Sequence, residues 1–111
     1  MNELIVRQLQ EYISLRYYGK ATSTGLYMKL AEEMGELAEV LNKIDGRKLN
    51  TGDTSIEKEL ADIIHYAVAI AVVNDIDLTS AIIEKDITAS IKYNQSPNLS
   101  EYIQAQKDDK N

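Results

Sequence analysis

Apolar residues recur at intervals of three and four along most of the chain, the period of an amphipathic helix rather than a strand. Helix breakers are sparse: five glycines and a single proline, Pro97, in 111 residues. The pattern predicts helices at about 2–18, 24–44, 55–74 and 78–93, with a weaker C-terminal helix at about 99–107. Their boundaries have chemical causes. GKATST (19–24) supplies a glycine stop followed by hydroxyl caps for the second helix. Thr54 with Glu57 forms a candidate capping box for the third, and Asp77 a candidate cap for the fourth. Asn94 to Asn98, with Pro97, ends the fourth helix, and QKDDKN reads as a solvated tail.

The second helix carries a stripe of Tyr27, Leu30, Met34, Leu37, Leu41 and Ile44 within about 100° of arc. The third is apolar nearly all round, with Leu60, Ile63, Ile64 and Ala67 on one side and Val68, Ala69 and Val72 on the other. A helix apolar on every side must be covered on every side. A short chain has little with which to wrap it, so the expectation is an all-α four-helix bundle with a short C-terminal helix, completed by oligomerisation. The simpler alternative is a monomer with the third helix central in its own bundle. No repeat or linker divides the chain, and the expected organisation is a helical domain over 1–98 followed by a short helix and tail over 99–111.

Charge narrows the function. Twelve basic and eighteen acidic residues leave a net charge of −6, which disfavours nucleic acid or an anionic membrane as the main partner and favours recruitment of cations. The absence of cysteine excludes thiol nucleophiles and zinc-thiolate sites, and one histidine excludes a His-rich metal site within one chain. The N-terminal stretch lacks the apolar core of a signal peptide, so a cytoplasmic location is expected.

The chemistry lies in KLAEEMGELAEVL (29–41) and EKELADIIHYA (57–67). Glu33 and Glu36, three apart, share one side of the second helix, about 60° and 120° from the centre of its apolar stripe, while Glu32 and Glu39 point outward. Glu59 and Asp62 repeat the spacing at the start of the third helix, on the side of Tyr66. Four carboxylates converging on one spot repel strongly and would take up protons unless a cation neutralised them. Oxygen ligands without sulfur select Mg²⁺, or Mn²⁺ in its place. Such spacings also arise on ordinary solvated helices, because glutamate is a good helix former and acids favour the first turn.

The order EExxE (Glu32, Glu33, Glu36) then ExxD (Glu59, Asp62), in this hydrophobic context, resembles the MazG-like all-α nucleoside triphosphate pyrophosphohydrolases over about residues 24–94. The resemblance implies a four-helix fold in an obligate oligomer, a homodimer or a dimer of dimers. It also implies Mg²⁺-dependent cleavage of a nucleoside triphosphate between the α and β phosphates, giving a monophosphate and pyrophosphate, as a housecleaning activity. Glu33, Glu36, Glu59 and Asp62 would be the metal ligands, with Glu32 assisting water activation or supporting the ligands. On the fourth helix Lys85 and Lys92-Tyr93 fit the family's pattern and would bind the polyphosphate, but Ala89 stands where an Asn is common.

Weaker candidates remain. His65 reads as a hydrogen-bonded core histidine, and Asp62-x-x-His65 only faintly echoes di-iron bundles. Tyr17, Tyr18 or Tyr27 are candidates to stack on a base, and Arg47 and Lys48 to touch phosphate. The rival reading is a non-catalytic helical interaction or regulatory protein with acidic surface pairs.

Overall fold

The computed structural model describes residues 3–46 and 55–109, and among them it is all-α, with no strand. The helices are α1 (Val6–Tyr17), α2 (Ser23–Ile44), α3 (Ile56–Val73), α4 (Leu78–Lys92) and α5 (Leu99–Asp109). They form two compact units, Met1–Ile76 with α1 to α3 and Asp77–Asn111 with α4 and α5.

Local chemistry sets the helix ends. Gly19, at φ +72°, turns the chain after α1 in a conformation that side chains with a Cβ resist. Thr22 then caps α2, its hydroxyl accepting from the Gly25 amide at 3.0 Å. The cap of α3 is Ser55, which accepts from the Lys58 amide at 3.2 Å. The expected Thr54–Glu57 box involves Thr54, which lies outside the described residues, as do Arg47 and Lys48. Asp77 caps α4 as expected, accepting from the Ser80 hydroxyl at 2.9 Å and from the Ser80 amide. Helix α1 begins later than its pattern suggested, because Ile5 is extended at φ −110°, ψ 151°.

In the first unit α3 is the central helix, with α1 and α2 packed on it. Asn74 Nδ2 donates to Ser23 Oγ at 2.8 Å, while Glu33 and Glu59 meet further along, so α2 and α3 run antiparallel. Gln10 bonds the Ile76 carbonyl and Tyr17 bonds His65, so α1 is antiparallel to α3 as well. The core between them is small: Ile13, Leu26, Val40, Val68, Ala69, Ala71 and Val72.

One expectation about the apolar faces needs correction. The stripe on α2 is wider than one helix contact, and it splits. Leu26, Leu30, Glu33, Leu37 and Val40 share about 80° of arc turned to α3, with Glu33 in its middle rather than on its edge. Tyr27, Met34 and Leu41 are left outside, and Met34 is 55% exposed. As the sequence pattern suggested, α3 is not covered on every side within one chain: Leu60, Ile64 and Ala67 are exposed. With α2 and α3 antiparallel, these two sets fall on the same side of the pair and form one apolar face.

In the second unit, Asp86 holds α5 to α4 by accepting from the Leu99 amide at 2.6 Å. Asn98 and Glu101 form a reciprocal capping box at the start of α5, with bonds of 2.9 and 3.0 Å. No single helix among the described residues is long and apolar enough to cross a membrane.

Candidate metal centre

The antiparallel register of α2 and α3 brings their acidic pairs together. One carboxylate oxygen each from Glu33, Glu59 and Asp62 lie within 4.8 Å of one another. Glu36 stands at the exposed rim of this group, hydrogen-bonding Glu59 and Glu33. Glu59 is only 2% exposed, an unusual position for a carboxylate, and among the described residues no lysine or arginine pairs with it in the way buried acids ordinarily require.

The electrostatics register the crowding. Burial first, then a hydrogen bond with Glu59 and the charges of Glu36, Asp62 and Glu59, push the Glu33 carboxyl from its ordinary 4.5 up to about 7. The Glu36 carboxyl is raised too, by desolvation first and then by Glu59. Glu33 Oε2 and Glu59 Oε2 are fully enclosed without a hydrogen-bond partner. Enclosed carboxylate oxygens left without a donor, in an all-oxygen set, fit a hard divalent cation. Glu33, Glu59 and Asp62 would hold it, with Glu36 in reach at the rim.

Glu32 points outward, as its helical position requires. It pairs with Lys29 at 3.5 Å and its charge acts on Glu36. Tyr66, one turn beyond Asp62, has its phenol raised by burial, then by Tyr17 and Glu33, whereas Lys29 pulls it down. Tyr17 and His65 Nε2 share a hydrogen bond of 2.7 Å, which makes His65 the bonded core histidine the sequence suggested. Lys85 and Lys92 are exposed on α4 in the second unit, where Lys92 Nζ lies 5.3 Å from the Tyr93 ring centroid.

Residues 21–90 match the model of the MazG nucleotide pyrophosphohydrolase domain. The chain belongs to the MazG family. Its fold is similar to the crystal structure of iMazG from Vibrio DAT 722, at a TM-score of 0.65 and 28% identity, covering 83% of this chain and all of that one. No curated protein matches the chain. Membership of the family makes this an all-α domain of nucleotide pyrophosphohydrolase type, and the matched segment contains every carboxylate of the cluster.

The sequence reading missed Lys29 as a neighbour of the site. The signal was available: Lys29 precedes Glu33 by four residues and Glu36 by seven, a spacing that keeps all three on one flank.

Proposed function

We propose that the protein is a Mg²⁺-dependent nucleoside triphosphate pyrophosphohydrolase that converts a (d)NTP and water to a (d)NMP and pyrophosphate, in a housecleaning role in the cytoplasm. The carrying observation is the triad of Glu33, Glu59 and Asp62 oxygens within 4.8 Å, two of whose carboxylates have an enclosed oxygen without a donor. A bound magnesium ion, with manganese as substitute, supplies charge neutralisation at the phosphates and favours ionisation of a nearby water. The residues do the rest. Glu33, Glu36, Glu59 and Asp62 hold the cation, and their rigid placement on two packed helices fixes where the phosphate chain sits. Glu32, beside the ligand Glu33, assists ionisation of the attacking water or supports the ligands. Lys85 and Lys92 provide positive charge for the polyphosphate.

The working form is a homodimer or a dimer of dimers. The exposed face of Tyr27, Met34 and Leu41 on α2 with Leu60 and Ile64 on α3 supports this, because a soluble monomer rarely leaves such a continuous apolar face in water.

The test is direct. Purified protein incubated with each dNTP and Mg²⁺ yields monophosphate and pyrophosphate, and Glu59→Ala abolishes the yield. Release of diphosphate and orthophosphate refutes the reading, as does full activity of Glu59→Ala. A non-catalytic interaction protein, the rival, would also show no rise in thermal stability on adding Mg²⁺.

A further inference from the structure

An open cleft of about 460 Å³ lies along α2, bordered by Met28, Lys29, Ala31 and Glu32. That volume falls in the range of small-molecule sites, roughly 300–1,000 Å³. Lys29 borders the cleft and stands near the carboxylate cluster. It lines the cleft, and its charge acts on the Tyr66 phenol, the same group on which Glu33 and Asp62 act. On the helix it stands one turn before Glu33, on the flank that Glu36 occupies one turn later.

Its present partner holds it weakly. Lys29 Nζ lies 3.5 Å from Glu32, with both side chains 60% exposed. An ion pair at that exposure contributes little, because water screens it and two flexible chains must be ordered to make it. Lys29 therefore exchanges that partner for a phosphate at small cost. A phosphate chain entering an all-acidic pocket needs cations on both of its sides, and the bound metal covers one.

We propose that Lys29 grips the phosphate chain of the nucleotide beside the carboxylate cluster, and that the cleft it borders seats the nucleoside. The inference rests on the pyrophosphohydrolase reading and adds a substrate-binding residue to it. Lys29 makes ground-state contacts, so its loss weakens binding more than turnover.

The experiment compares wild type, Lys29→Ala, Lys29→Arg and Lys107→Ala (an exposed control on α5) with the four dNTPs and Mg²⁺, together with thermal shift in Mg²⁺ alone. A charge-assisted contact of ordinary strength predicts that Lys29→Ala raises KM about tenfold or more, with kcat changed less than about threefold. Lys29→Arg recovers most of that loss, Lys107→Ala matches wild type, and the Mg²⁺ shift of Lys29→Ala is unchanged. An active wild type with KM unaltered in Lys29→Ala overturns the inference alone. So does a lost Mg²⁺ shift in that variant, which would place its effect in the metal centre. A wild type that cleaves none of the four dNTPs overturns the pyrophosphohydrolase reading and takes this inference with it.

Discussion

Replacing Glu59 by glutamine exposes the conflict between holding a cation and holding the fold. Glu59 is 2% exposed and lies within 4.8 Å of oxygens of Glu33 and Asp62. Two unit charges at 4.8 Å repel by about 3.5 kcal/mol at an effective dielectric of about 20. Above pH 7, where Glu33 is ionised, Glu59 meets two such neighbours; the amide removes both repulsions and keeps a group able to bond Glu33. Solvent at the rim and relaxation of the side chains take most of the sum, leaving an expected gain of about 2 kcal/mol for the metal-free protein. At about 4 °C per kcal/mol, that raises the melting midpoint by ~8 °C. The assay is thermal unfolding at pH 8 and fixed protein concentration, in EDTA and then in excess Mg²⁺. Wild type gains about 2.7 kcal/mol with Mg²⁺ at a hundred times its Kd, whereas Glu59→Gln gains little. At pH 5.5 Glu33 holds its proton, one repulsion is gone, and the advantage of the variant in EDTA falls to about half. A variant no more stable than wild type in EDTA at pH 8, or one that Mg²⁺ stabilises as much as wild type, refutes the reasoning.

Other perturbations have equally definite outcomes. In EDTA the folded protein keeps the Glu33 proton up to about pH 7, whereas the unfolded chain gives it up near 4.5. Stability is therefore highest below pH 4.5 as far as this group is concerned and is lost as the pH rises through 7. The whole displacement would amount to about 3 kcal/mol, which partial solvent access reduces to ~1.5 kcal/mol. With Mg²⁺ the slope reverses, since the ion displaces the proton, and calorimetry in buffers of different ionisation enthalpy near pH 6.5 should show protons released on binding. Ile64→Glu places a charge on the exposed apolar face without touching the core, so it shifts the sedimentation-equilibrium mass toward one chain, and an unchanged mass argues against that interface. Tyr17→Phe removes the bond to His65 and costs about 1 kcal/mol in urea unfolding; no change in midpoint would mean the bond is idle.

Much of this was legible in the sequence because helix signals are local. Caps at Thr22 and Asp77 and the run of each helix follow from neighbours a few residues away. The acidic pairs were equally visible, since a three-residue spacing on one helix face needs no tertiary knowledge. What the sequence did not show was which part of a broad apolar stripe turns inward. On α2 that choice depends on α3, which takes Leu26, Leu37 and Val40 and leaves Met34 in water. The same choice draws Glu33 into the middle of the contact. Likewise the cap of α5 by Asn98 and Glu101 was written in the chain as N-x-x-E, yet its neighbour Pro97 dominated the reading. Lys29 was missed because its charge matters through Tyr66 on another helix.

The placement of Glu33 at the centre of the α2–α3 contact has an evolutionary corollary. A leucine there, or at position 59, would give a sturdier helix pair with no appetite for ions. If the proposed activity holds, selection for it is what keeps acids at such places. Once that selection relaxes in a lineage, drift runs downhill toward inert bundles with the same backbone. Descendants that have lost both acids should then be harder to melt than their active cousins.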